Sequence, residues 1–177
     1  MFPTQHPEIS ENISVSTVLD NGLAMFPGAK FAELAVLLGA CRAISILHQT
    51  HHWQSSGPVF YGDHLLFERL YGASNAEIDV VAEKLLGLGG SQDLLSVSKQ
   101  VINLSHFLKV HKDHSESDLL ARRSLEAEVL FLGIVEAIMD KLKSGGMLTR
   151  GLEQMLGNIA DVHEGHVYLL RQRVKQG

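Results

Sequence analysis

Apolar positions recur along most of this chain at intervals of three and four, a spacing that predicts long helices. Leu34, Leu38, Cys41, Ile44 and His48 make the inner stripe of a first helix from Ala29 to about Gln54. Gly57-Pro58 then predicts a turn, with Pro58 suited to the first position of a second helix. That helix should run to about Leu88 and stop at Gly89-Gly90. Gly72, Ser74 and Asn75 in its middle are poor helix formers, and propensity alone would break it there. We read it as continuous because the charge pairs described below need an extended rod.

Residues 91–114 read as a connection in which Leu94 to Phe107 is apolar enough for a short helix across the bundle. The segment 111–117 reads as a loop, with Ser115 and Asp118 in a capping arrangement for the third helix. Leu125, Val129, Leu132, Val135 and Met139 mark that helix's predicted inner face, and Ser144-Gly145-Gly146 ends it. A fourth helix from about Thr149 turns Leu152, Leu156, Ile159, His163 and Leu170 inward and frays at 174–177. The expected fold is all-α, a four-helix bundle over residues 29–177. Residues 1–28 read as an N-terminal tail with a short ordered piece around Ile13–Leu19.

The chain's 177 residues suffice for one core, and four prolines, three of them in the first 27 positions, leave long helices permitted. A net charge of −5 gives no general attraction to nucleic acid or anionic lipid. The single cysteine, Cys41, lies on an apolar stripe and reads as a small core residue. With no disulfide possible within the chain and no apolar run near 18 residues, a cytoplasmic location is expected.

The chemistry concentrates between His48 and Gly90. His64 and Glu68 are spaced i,i+4, as are Asp79 and Glu83, so on a helix each pair projects from one face. Each pair is half of a metal site. Fifteen residues separate His64 from Asp79, and at the helical rise that is about 22 Å, too far for one ion to bridge. Two copies lying antiparallel about a two-fold axis would set the His64/Glu68 end of one against the Asp79/Glu83 end of the other. His52, just before the turn, can close onto the His64 end. Two imidazoles with three carboxylates suit iron better than structural zinc.

His52-Trp53, Gly57, His64 twelve residues after the first histidine, Glu68, Asp79-x-x-x-Glu83 and the closing LGLGG at 86–90 together resemble the Dps family of mini-ferritins. The resemblance implies a four-helix bundle with a crossing segment between helices two and three, assembled into a hollow dodecamer. Its metal and catalytic ligands map onto His52, His64, Glu68, Asp79 and Glu83, at ferroxidase centres between two-fold-related subunits. It further implies oxidation of Fe(II) by hydrogen peroxide or dioxygen, storage of ferric mineral and protection from oxidative damage. One ligand departs from the pattern, since the family more often carries Asp where this chain has Glu68.

Trp53, and Tyr61 beside it, read as candidate electron donors near the site, or simply as interface aromatics. The family lines its iron pores with acids near the start of the last helix, where this chain offers Glu153 close to Arg150. His48 reads as a packed histidine bonded to a backbone carbonyl, His51 as exposed or making a supporting bond, and His163 and His166 as core or supporting residues rather than ligands, and the Glu-x-x-His motif of single-chain di-iron sites is absent. A second functional reading is a nucleoid-associated DNA-binding protein. Dps proteins often bind DNA through lysine-rich N-terminal tails, whereas residues 1–28 contain no lysine. A small basic patch of Arg171, Arg173 and Lys175 at the other end is the alternative contact.

Overall fold

The computed structural model describes residues 11–109 and 117–175. Its helices are α1 (Glu11–Leu23), α2 (Ala32–Gln54), α3 (Phe60–Gly87), α4 (Val97–Leu108), α5 (Ser117–Ser144) and α6 (Arg150–Lys175), with a 3-10 turn at Gln92–Leu95 before α4. The four long ones, α2, α3, α5 and α6, match the four predicted by periodicity. The short crossing helix is α4. The Ser115 capping arrangement lies outside the described residues.

α1 goes further than the expected tail. It spans thirteen residues, and Val18, Leu19 and Phe26 behind it belong to the main apolar core. Its amphipathic pattern is short and flanked by prolines, which is why the sequence reads as a tail there. α4 seats on α2 because Gly39 has no side chain: a Cβ at that position would lie 2.4 Å from the Cβ of Asn103. Asn103 in turn donates its amide to the Ala35 carbonyl at 3.3 Å.

α3 is unbroken across Gly72, Ser74 and Asn75. Ser74 is fully buried and returns its hydroxyl to the Leu70 carbonyl at 3.0 Å, so it satisfies its polar group inside the helix. Gly89, in the left-handed region at φ 86°, ends α3, and the Gly90 N–H reaches back to the Leu85 carbonyl. By length and composition α2 could cross a membrane, yet 72% of its apolar stretch is buried in the bundle, as a core helix would be.

The inner face of α5 is rotated from the one predicted. Ser124, Ala127, Glu128, Phe131, Ile134, Val135, Ile138 and Leu142 are buried, while Leu125, Val129, Leu132 and Met139 are only partly covered. Polar Ser124 and Glu128 hold core positions, so a hydrophobic stripe drawn by residue type settles on the wrong phase. On α2 and α6 the predicted stripes are right: Leu34, Leu38, Cys41, Ile44 and His48, and Leu152, Leu156, Ile159, His163 and Leu170, are all buried.

The core has two apolar parts. The large one contains Ile44, Ile78, Phe131 and Ile159, and the small one Phe67, Leu70, Leu120, Ala121 and Leu170. Every long helix also buries polar residues, His48 on α2, Ser74 and Glu77 on α3, Ser124 and Glu128 on α5, His163 and His166 on α6, and of these Ser74, Glu77, Ser124, His163 and His166 fall in chain order between residues of the two parts. A polar layer thus crosses the bundle between two apolar ones.

Candidate functional site

His52 lies in the last turn of α2 and His64 in the first turns of α3, joined by a turn in which Gly57 adopts φ 76°. The turn folds the two helix ends together, and the imidazoles stack with centroids 3.7 Å apart and planes tilted by 24°. Each ring is held by the other residue's backbone. His52 Nδ1 lies 2.8 Å from the His64 carbonyl oxygen and His64 Nδ1 lies 3.2 Å from that of His52. A carbonyl only accepts, so both Nδ1 atoms carry a proton, which leaves Nε2 as the ligating nitrogen of each ring in its neutral form. This is the tautomer that a histidine needs to bind a metal through Nε2. Tyr71 meets His52 edge-on at 5.4 Å, and Phe60 lies 5.0 Å from His64.

Glu68 is exposed one turn beyond His64 on α3, and Asp79 and Glu83 are exposed near the far end of the same helix. None of the three has a hydrogen bond or ion pair among the described residues. One chain therefore brings His52, His64 and Glu68 to one end and leaves Asp79 and Glu83 at the other, about 22 Å along the rod. Trp53 follows His52 in α2 and Tyr61 lies in the first turn of α3, and they are 68% and 74% exposed. Glu153 pairs with Arg150 at 3.5 Å on an open surface.

The basic patch expected at the C-terminus is smaller than its sequence suggests. Arg173 lies against Asp63, with Nε donating at 2.6 Å and Nη2 at 3.0 Å to the two carboxylate oxygens. It ties the end of α6 to the start of α3, next to His64, and leaves Arg171 and Lys175 as the exposed cations of the patch.

Sequence reasoning did not find the polar layer as a unit. Glu128, fully buried, accepts from three histidines: His48 Nε2 at 2.8 Å, His166 Nδ1 at 2.9 Å, and His163 Nδ1. His163 Nε2 donates to Glu77 at 2.9 Å. Ser124 links His48 and His51, at 3.1 and 2.7 Å from their Nδ1 atoms. His48 is thus packed, as expected, but against a carboxylate and a hydroxyl rather than a backbone carbonyl. Of the two fates expected for His51, it takes the supporting bond, to Ser124, and is buried. Burial alone would raise the Glu128 carboxyl, but the charge of His163 and the three imidazole bonds outweigh it and hold it well below the usual range. Burial would lower His163, but Glu128 and Glu77 together raise it to about 9. His48 is lowered, chiefly by burial. One ligand atom each from Glu128, His163 and His166 lie within 4.8 Å of one another, so this buried cluster could hold a metal ion. The signal in the sequence was a Glu falling on the inner face of α5 and a His-x-x-His pair on α6, and only the packing joins them.

No family model matches the chain. It is 25% identical over 125 residues to DNA protection during starvation protein 2 of Bacillus anthracis, covering 71% of this chain and 82% of that protein. Over 40 residues it is 45% identical to the DNA protection during starvation protein of Brevibacillus brevis, a match of 23% of this chain and 27% of the relative. Dps from Thermosynechococcus elongatus superposes with a TM-score of 0.65 at 18% identity, covering 91% of this chain and 94% of that one. DpsC from Streptomyces coelicolor gives 0.68 at 20% identity, covering 98% and 90%. The chain is similar to Dps proteins in sequence, and its fold is the Dps-like all-helical one.

Proposed function

We propose that this Dps-like chain is a ferroxidase and iron-storage protein whose iron sites are each completed by a second copy. The observation that carries the reading is the reciprocal His52/His64 arrangement. Each Nδ1 is committed to a backbone carbonyl, so two Nε2 lone pairs stand ready with no imidazole reorganisation needed on metal binding.

The rest of the donor set supports pairing. In an antiparallel dimer of α3, the register that sets His64 against Glu83 of the second copy also sets Glu68 against its Asp79. The axis of that register falls between Ala73 and Ser74. Nothing lies within 4 Å of a Cβ built at Gly72, so the helix is thin and open where two rods would cross. Exposed Leu65, Val80 and Leu86, with Trp53 and Tyr61 at the histidine end, supply apolar surface for such an interface. The mixed imidazole and carboxylate set, His52, His64 and Glu68 with Asp79 and Glu83 of the mate, suits iron.

Fe(II) and hydrogen peroxide are the substrates. Two Fe(II) ions each give up one electron, and the peroxide takes both electrons and two protons to leave as two waters. Exposed carboxylates gather Fe(II), and the oxygen donors favour the ferric product. By likeness to the family, a dodecameric shell stores that product as mineral, and dioxygen serves as a slower oxidant. Trp53 and Tyr61 are placed to donate an electron to a stray oxidant near the histidines.

The test is Fe(II) plus peroxide added to purified protein, with ferric absorbance followed and particle mass measured before and after. The wild type should oxidise and retain iron without change of assembly. The His52→Ala/His64→Ala double variant should keep its assembly and lose peroxide-dependent oxidation. Undiminished oxidation in that variant would remove the assignment.

A further inference from the structure

We propose that the polar layer inside the bundle is a second, single-chain metal site, in which Glu128, His163 and His166 bind a divalent first-row transition ion, with Glu77 and His48 at its margin. It is separate from the inter-subunit site and needs no partner.

The donors come from all four long helices: His48 from α2, Glu77 from α3, Glu128 from α5, and His163 and His166 from α6. They converge where two apolar clusters meet, a setting in which a polar group without purpose is costly. Two carboxylates are buried there. Each nitrogen of His163 faces a carboxylate oxygen, Glu128 on one side and Glu77 on the other. One imidazole thus lies between two buried carboxylates, which together turn anionic oxygens into the layer. A place built to hold a cation is already present.

The network is also incomplete as it stands. Glu77 Oε1 is buried without a hydrogen-bond partner, although its sister oxygen is used by His163. Glu128 Oε1 accepts from both His48 and His166 and Oε2 from His163, so the three imidazoles already converge on this one carboxylate. An ion among Glu128, His163 and His166 would take the imidazole lone pairs directly and leave the Glu77 oxygen a cation to face. The Glu77 side chain, 11% exposed, is the edge of the cluster nearest solvent. Imidazole with carboxylate selects Fe(II), Co(II) or Zn(II) over Mg(II) or Ca(II), which prefer oxygen donors alone.

The test uses the full-length protein carrying His52→Ala/His64→Ala, so that the inter-subunit ligands are absent. Stripped protein is loaded with Co(II), dialysed against metal-free buffer, and its cobalt measured together with the X-ray absorption spectrum. About one Co(II) per chain with imidazole scattering is expected, the count one three-donor interior site permits. Adding Glu128→Gln or, as a change that removes one imidazole donor and keeps the carboxylate, His166→Gln should remove the retained cobalt while circular dichroism stays helical. No retained cobalt in the double variant overturns the proposal, as does undiminished cobalt after His166→Gln. Retained cobalt with peroxide-dependent iron oxidation unchanged in the double variant would sink the inter-subunit reading and support this one.

Discussion

Arg173→Ala cuts the clasp that ties the end of α6 to the start of α3. Its partner Asp63 is 1% exposed and Arg173 12%, and the guanidinium meets both carboxylate oxygens at 2.6 and 3.0 Å. Solvent screening is therefore weak, and removing the guanidinium takes two charge-assisted bonds from a buried carboxylate at a cost of about 3–5 kcal/mol. For a chain of this size each kcal/mol moves the melting midpoint by about 2–4 °C, so a drop of roughly 6–20 °C should follow. Arg173→Lys keeps the charge but loses the two-pronged geometry and should fall between. The double variant Asp63→Leu/Arg173→Met removes both charges and should recover most of the loss. Melting is followed by circular dichroism with chelator present and protein concentration fixed, because assembly adds to apparent stability. If Arg173→Ala shifted the midpoint by less than about 2 °C, the clasp would be worth no more than an exposed ion pair and the reasoning would be wrong.

Other consequences can be checked as directly. Gly39→Val would drive a side chain into Asn103, costing about 1–3 kcal/mol by overpacking, and should loosen α4 first, seen as faster amide exchange over 97–108. Metal-free protein should be most stable near pH 6.5. Above that, His163, raised to about 9, loses its stabilising proton as the pH climbs through about 9. Below it, His48, lowered from 6.5, resists a proton that the unfolded chain takes up, so stability falls. A denaturation series showing no decline between pH 6.5 and 9 would contradict this arrangement of the layer. With Arg173 engaged by Asp63, DNA retardation in a gel should be weak, salt-sensitive and little changed by deleting 171–177, whereas abolition of strong retardation by that deletion would restore the basic-patch reading.

The long helices were legible because their apolar spacing is regular and Gly57-Pro58, Gly89-Gly90 and Gly145-Gly146 punctuate them. The His52/His64 end was legible because turn length and helical spacing together bring those rings to one place. α1 was hidden by its short pattern and flanking prolines. The polar layer was hidden for a different reason. Glu128, His163, His48 and Glu77 stand far apart in sequence, and each at its own position looks like an ordinary packed or surface residue. Only the register between helices makes them neighbours. The same feature misled the assignment of the α5 face, since a buried Glu128 turns the inner side away from its most apolar stripe.

The pairing of opposite helix ends can be tested by complementation. One chain carrying His52→Ala/His64→Ala and another carrying Asp79→Ala/Glu83→Ala are each expected to be inactive alone. When the two are co-assembled in equal amounts, half the dimers are mixed and each holds one intact site, so about a quarter of wild-type peroxide-dependent oxidation should return. Mixed particles no more active than either variant alone, or an Asp79→Ala/Glu83→Ala chain that is active by itself, would contradict it.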